Sequence, residues 1–256
     1  MTACTVELSD TQLLRYSRHI LLDELGTVAQ EKFAASHALV IGAGGLGAPA
    51  SQFLAAAGVG TITICDADDV DLTNLQRQIL YATEDVGTRK VDAAAKRLAA
   101  VNPEIRIARV AARVGPAELA PLVRGADVVL DCSDNFDTRH AVNAACVQAR
   151  KPLVSGAAVR FDGQVAVFDA RDASAPCYHC LFGEGDELEE TRCATMGVFA
   201  PLVGIVGSMQ AAEALKILAG VGETLRGRLL IVDALDMRIR ELAVPRDPSC
   251  PVCAAR

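Results

Sequence analysis

Through the first two thirds of the chain, short apolar runs alternate with stretches in which apolar residues recur every three or four positions. The runs at 38–42, 61–65, 105–110, 127–132 and 153–157 predict strands, and the stretches at 47–58, 87–101, 116–124 and 138–149 predict helices. That alternation is the rhythm of a mostly parallel sheet whose crossovers are helical. Ahead of it, Leu13, Leu14, Ile20, Leu21 and Leu22 punctuate a polar stretch from Leu8 to Gly26, which predicts amphipathic helix in two pieces.

After Arg160 the pattern changes. Runs at 164–168, 229–232 and 237–242 predict strands on short connections, extending the sheet antiparallel. Between them lies a predicted helix from about 201 to 220, in which Gly204 and Gly207 would allow close packing. The acidic stretch Glu184–Glu190 predicts a mobile loop over about 183–195, because clustered carboxylates repel one another. The expected fold is α/β: a Rossmann-like, mostly parallel sheet with helices on both faces and C-terminal antiparallel strands. We expect one domain over 1–256, with N-terminal helices at 1–26, a nucleotide-binding core at 37–160 and the antiparallel extension at 161–256.

Gly42-Ala-Gly44-Gly45-Leu-Gly47 follows the first strand and opens the first crossover helix, and Asp66 closes the second strand. Glycines at these places permit a tight turn, close backbone approach to a phosphate, and packing of helix on strand. Asp66 suits ribose hydroxyls. Beyond it, Asn74-Leu-Gln-Arg77-Gln78 and Lys90 bring positive charge near the loop, which a triphosphate needs and a dinucleotide does not. Asp68, Asp69 and Asp71 read as solvated turn residues, with Asp71 a candidate cap for the turn holding Asn74. Asp131-Cys-Ser-Asp134-Asn135 closes the fourth strand. Of its two acids, Asp134 lies further into the loop and is the better candidate for holding Mg²⁺, whereas Asp131 has a structural reading. Taken singly, Arg77 and Lys90 also look like ordinary surface cations.

Composition bounds the alternatives. With 51% apolar residues in 256, the chain can bury a sizeable core. A formal charge of −7 argues against general nucleic-acid binding. No basic-then-apolar start precedes Asp10, and no continuous apolar stretch has the length of a membrane span, so a cytoplasmic protein is expected. Four of the nine cysteines form two pairs, Cys177-Tyr-His-Cys180 and Cys250-Pro-Val-Cys253. In a reducing compartment four thiolates predict one structural, tetrahedral Zn²⁺ stapling the C-terminal tail to the loop after the fifth strand. His179, inside one pair, could compete for the metal. Cys4, Cys65, Cys132 and Cys146 read as tail or core residues.

Arg15-Tyr-Ser-Arg18, the Gly42–Gly47 loop, Asn74–Gln78, Lys90, Asp131–Asn135 and the two cysteine pairs, in that order along nearly the whole chain, resemble the MoeB/ThiF/HesA sulfur-carrier adenylyltransferases. These are relatives of ubiquitin-activating enzymes. The resemblance implies that ATP and Mg²⁺ adenylate the C-terminal glycine of a small ubiquitin-like sulfur carrier, releasing pyrophosphate, in a homodimer. It implies nucleotide contacts by Gly42, Gly44, Gly45, Gly47, Asp66, Asn74, Arg77, Lys90, Asp134 and Asn135. Arg77, Lys90 and Asp134 would serve the reaction, and Arg18 would reach the neighbouring subunit's phosphates. Cys193 stands where thiamine-pathway relatives carry a sulfur-handling cysteine, although it is also an ordinary loop thiol. Ser155–Arg160 looks more like the molybdopterin branch, with the thiamine-pathway carrier as the alternative. No rhodanese-like extension follows, so a separate sulfur donor, such as a cysteine desulfurase or a rhodanese, is expected. A nicotinamide oxidoreductase, resting on the glycine loop and Asp66 alone, and a zinc-stabilised nucleic-acid module are the readings from other classes.

Overall fold

The fold is that of a computed structural model, which describes residues 7–183 and 196–255. The acidic stretch and Cys193 lie outside the described residues, as does nearly all of the segment expected to be a mobile loop. The chain begins with three helices, α1 (Asp10–Arg15), α2 (Ser17–Ile20) and α3 (Gly26–Ala35). Ser9 caps α1 by accepting from the backbone of Gln12, whose side chain answers the cap. The first two helices match the expected pieces, and α3 was not read from the sequence.

Then follow β1 (His37–Ile41), α4 (Gly47–Ala56), β2 (Thr61–Cys65), α5 (Lys90–Val101), β3 (Arg106–Val110), α6 (Pro116–Gly125), β4 (Val128–Asp131), α7 (Phe136–Ala149) and β5 (Pro152–Val159). The remainder is β6 (Asp162–Asp169), α8 (Tyr178–Leu181), α9 (Ala200–Ala219), β7 (Arg228–Asp233) and β8 (Arg238–Ala243). One eight-stranded sheet runs β3-β2-β1-β4-β5-β6-β7-β8. It is parallel from β3 to β5 and antiparallel from β5 to β8.

The central strands are continuous apolar runs because both faces are covered. Ala38, Val40, Ile62, Ile64, Val128 and Leu130 face α4, α5 and α9 in one core. Leu39, Ile41, Val129 and Leu153 face α6 and α7 in a second. Strand order grows outward from β1 in one direction and from β4 in the other, so connections leave opposite ways at the C-terminal ends of β1 and β4. A crevice opens there.

Helix α9 is twenty residues long, with a mean hydropathy of 1.4 over its most apolar window, enough by length and composition to cross a membrane. This corrects the expectation that no stretch approaches that test. Ser208, Gln210, Glu213 and Lys216 break the run to the eye, yet Gln210 and Glu213 are buried with it, and 56% of the window lies inside the protein. The helix packs on α4 and across β4, β5 and β6. The N-terminal helices behave differently: Tyr16 is buried and its hydroxyl accepts from Asn102, but Leu14 and Leu21 are 78% and 71% exposed. With Leu22, Phe53 and Ile79 they leave apolar side chains uncovered.

The two helix glycines part ways. A Cβ at Gly207 would press into the Leu46 carbonyl and stand 2.6 Å from Pro49 Cγ, whereas one at Gly204 meets nothing within 4 Å. Only Gly207 serves close packing, of α9 on α4. Gly207→Ala is expected to cost about 1–3 kcal/mol of stability by overpacking, and Gly204→Ala to gain about 0.5–1 kcal/mol from helix propensity. Urea unfolding of the two variants reads both signs.

Candidate active site

A cavity of about 770 Å³ occupies the crevice and continues over the antiparallel strands. Its floor is the glycine loop. Gly42 has φ +94°, in the region glycine tolerates, and a Cβ there would lie 2.6 Å from the Cys132 carbonyl. At Gly47 a Cβ would collide with the Gly42 carbonyl oxygen, so the turn closes only without one. The loop is braced from both sides: Tyr81 donates its hydroxyl to the Ala43 carbonyl at 2.7 Å, and Asp66 Oδ2 accepts from the Ala43 amide at 2.8 Å. Asp66 Oδ1 also accepts from the Asp68 amide at 2.8 Å. The acid expected to face ribose thus first holds the loop, with lone pairs left over.

Gly42, Gly44, Gly45, Asp66, Arg77, Lys90, Asp134 and Asn135 all line the cavity. The structure brings them together from five separate segments. Lys90 begins α5, is buried, and pairs with Asp68 at 2.8 Å. Asp68 and Asp69 are exposed, as expected of solvated turn residues, and each also carries a partner, Lys90 for Asp68 and Arg89 at 3.3 Å for Asp69. An ammonium has three donors, so Lys90 keeps two for a ligand. Arg77 folds one donor back on the Thr73 carbonyl at 3.1 Å.

Not every expected residue lines this space. Asn74 sits in the short turn that Asp71 caps, its Oδ1 3.4 Å from the Asp71 amide, and is absent from the cavity wall. Gly47 lies just beneath the wall. Asn135 caps α7, accepting from the Thr138 amide at 2.9 Å. Arg18 is exposed on α2 and does not reach its own chain's cavity.

Among residues the sequence reading did not assign, Gln78, Arg113 and Arg139 also line the cavity. Gln78 is 4% exposed, its Oε1 has no hydrogen-bond partner among the described residues, and its amide nitrogen faces Gly44. Its place beside Arg77 in one polar turn was a usable signal. Arg139 is buried, donates to the Ser133 carbonyl at 3.1 Å and lies over the Phe136 ring. For Arg113, exposed after β3, nothing local marked it.

The two acids at the end of β4 divide as their surroundings dictate. Asp131 is fully buried, and its Oδ1 takes the Ser133 amide at 3.0 Å and hydroxyl at 2.6 Å. Burial pushes its carboxyl up, against the pull of Arg139 and Ser133. Asp134 is exposed to the cavity, touched by Asn135 Nδ2 at 3.4 Å. Burial also pushes the Cys65 thiol up to about 12 and the Cys132 thiol well above its ordinary value. Burial thus disfavours the thiolate at both cavity cysteines.

A second cluster lies behind α7. Cys177, Cys180, Cys250 and Cys253 meet with all four Sγ atoms within 4.8 Å of one another. Neighbouring sulfurs stand 3.5 to 3.9 Å apart. A tetrahedron of thiolates about 2.3 Å from a zinc ion has edges of roughly 3.8 Å. The cluster has the size and ligands to hold one metal ion. Asn143 donates toward Cys177, and His179 Nδ1 lies 3.7 Å from Cys250 Sγ, outside the four-sulfur set. Cys65, Cys132 and Cys146 are buried in the core, as read.

A glycine loop at a sheet's switch point, faced by an arginine, a lysine and a free carboxylate, defines a nucleotide-using enzyme of α/β class rather than a hydride-transfer site. The chain belongs to the ThiF family, whose model matches residues 16–252. It is 47% identical over 250 residues to the molybdopterin-synthase adenylyltransferase of Escherichia coli K12, covering 96% of this chain and 98% of that one. With the sulfur carrier protein ThiS adenylyltransferase of the same organism it shares 45% over 246 residues, 96% of this chain and 97% of that one. A crystal structure of Escherichia coli MccB with ATP superposes with a TM-score of 0.82 at 26% identity, over 93% of this chain and 73% of that one.

A carboxyl raised in the native state holds its proton more tightly folded than unfolded, so its ionisation lowers stability as pH rises from about 4. Asp131→Asn keeps an acceptor for Ser133 and removes that titration. Relative to this variant, the parent is expected to lose stability with increasing pH above about 4, by at most about 1.4 kcal/mol per unit. Urea midpoints of both proteins between pH 4 and 8 check the sign.

Proposed function

We propose that this chain adenylates the C-terminal carboxylate of a small ubiquitin-like sulfur-carrier protein, with the carrier subunit of molybdopterin synthase as first candidate. The observation that carries the reading is the joining of two unlike halves in one cavity. One half gathers the glycine loop, Arg77, Lys90 and Asp134, and the other runs over the antiparallel strands along Ala157, Ala158 and Gly163. Small side chains there leave room for an extended peptide, whose end would arrive where the α-phosphate lies.

In the step itself a carboxylate oxygen forms a bond to the α-phosphorus, and the bond to the β-phosphate oxygen breaks, releasing pyrophosphate. A carboxylate nucleophile needs no general base, so positioning and charge neutralisation carry the reaction. The amides of the glycine loop and the start of α4 receive phosphate oxygens. Arg77 offers a bidentate fork, and Lys90 a point charge that it now shares with Asp68. Asp134 is a hard oxygen donor open to the cavity, the kind that holds Mg²⁺ beside phosphates. Bound there, the ion would neutralise charge on the triphosphate and orient it.

Arg18 serves the reaction only from a second copy, because it is exposed away from its own cavity. The uncovered leucines of α1 and α2, with Phe53 and Ile79, provide an apolar face for that homodimer. Sulfur would come from a separate donor. The relative of Sus scrofa named adenylyltransferase and sulfurtransferase MOCS3 is 43% identical, and this chain spans 55% of its length. The thiamine-pathway carrier remains the second substrate, since the ThiS adenylyltransferase is nearly as similar.

Carrier-dependent ATP–pyrophosphate exchange tests the assignment. Arg77→Ala and Asp134→Ala are each expected to lower it by about 100-fold or more, while full activity in both would overturn the residue roles. Trapping the acyl-adenylate by mass spectrometry with each carrier decides the substrate.

The four thiolates are assigned to one Zn²⁺ that ties Cys250 and Cys253 of the tail to α8. Cys253→Ser is expected to purify without its equivalent of zinc and to expose the tail to protease. Elemental analysis with limited proteolysis measures both, and retained zinc would refute the ligand set.

A further inference from the structure

Gln210 lies in the middle of α9 and is fully buried. Its Nε2 donates to the Asp131 carbonyl at 2.7 Å and the Val154 carbonyl at 3.2 Å, and its Oε1 accepts from the Cys132 thiol at 3.6 Å. Both amide hydrogens and the carbonyl oxygen are engaged, so one rotamer is selected.

These partners mark the place where β4 and β5 part. Their register ends at Asp131 opposite Ser155. Beyond it, β4 breaks into the loop bearing Asp134, while β5 continues in antiparallel pairing with β6. The glutamine amide supplies a rung that the diverging backbones cannot make. Gly156 completes the device, since a Cβ there would stand 2.5 Å from Gln210 Oε1 and 2.9 Å from Nε2. On its other side, the Cys132 carbonyl is the surface on which Gly42 packs.

We infer that Gln210 is a positioning residue for the reaction: it sets the loop from Cys132 to Asn135 against the glycine loop, and so fixes where the Asp134 carboxylate stands relative to the phosphates. The inference rests on the proposed adenylation and on Asp134 as the metal-holding acid. Packing of α9 does not by itself call for an amide here. β4 is already paired on both sides, and α9 is held by Leu202, Val206 and Ala214. An apolar side chain of similar volume would fill the space but leave the Asp131 and Val154 carbonyls without that donor, a cost in stability that is read apart from the effect on Mg²⁺. Every directed contact of Gln210 instead goes to the two parting strand ends and the start of the loop.

The test uses the full chain with two variants, Gln210→Met, which keeps volume without donors, and Gly156→Ala, which pushes the amide aside. ATP affinity is measured by calorimetry with and without Mg²⁺ and without carrier, alongside exchange kinetics and thermal unfolding. Both variants are expected to bind metal-free ATP within about twofold of the parent, but to lose about tenfold or more of the gain from Mg²⁺ and of kcat, as when a support of a metal ligand is removed. The KM for carrier is expected to stay unchanged. An unaltered Mg²⁺-dependent gain in folded variants, whatever the fall in Tm, overturns the inference. Failure of both to fold overturns it too, assigning Gln210 to folding. A parent that binds Mg²⁺ and ATP but shows no carrier-dependent exchange refutes the functional reading alone, because the affinity ratio is measured without carrier.

Discussion

The close backbone approach at Gly42 and Gly47 is the constraint from which the rest of the site follows. Without a Cβ at either place, the turn after β1 closes onto itself and presses against the Cys132 carbonyl at the end of β4. That contact joins the two strands on either side of the switch point. It puts amide donors and the start of α4 on one wall of the crevice and the Asp131–Asn135 loop on the other. Tyr81 and Asp66 then hold the turn from outside, so the glycine-loop backbone is in place before any ligand arrives.

Charge is arranged with similar economy. Lys90 would be costly to bury alone, and Asp68 offsets that cost while leaving donors toward the cavity. Asp131 and Asp134 are three residues apart yet chemically opposite. One is sealed beneath Ser133 and raised by burial, and the other stands open. The open acid is suited to a metal, whereas the sealed one shapes the loop that carries it.

The antiparallel strands and α8 extend these arguments away from the nucleotide. β6 and β7 supply the second half of the cavity, so the same sheet that carries the glycine loop also offers a trough over the antiparallel strands, where the proposed peptide end would lie. Phe182, which follows α8, lines the cavity and stacks on Tyr178, between the Cys177 and Cys180 positions. The four-sulfur cluster therefore braces a wall of the site as well as the tail.

Much of this was legible along the chain. Apolar runs such as 38–42 and 61–65 marked the strands because a sheet covered on both faces needs unbroken apolar sequence, and glycine spacing marked the loop because no other residue fits. The cysteine pairs were readable for the same reason, since few residue types can hold a metal. Other features were not. α3 was missed, the burial of Gln210 and Glu213 within the predicted α9 left no mark in the sequence, and the pairing of Asp68 with Lys90 was not read because the two lie 22 positions apart. Gln210 looked like any helix glutamine, and Arg113 and Arg139 like any surface arginine. The sequence by itself determined the order of the elements, the glycine turn and the pairing of the four cysteines along the chain, all of which depend on local backbone and side-chain chemistry. Only the tertiary structure decided which acid is buried, which lysine is paired and which glutamine bridges the parting strands. Burial and pairing belong to neighbours brought together by folding, and no local pattern records them.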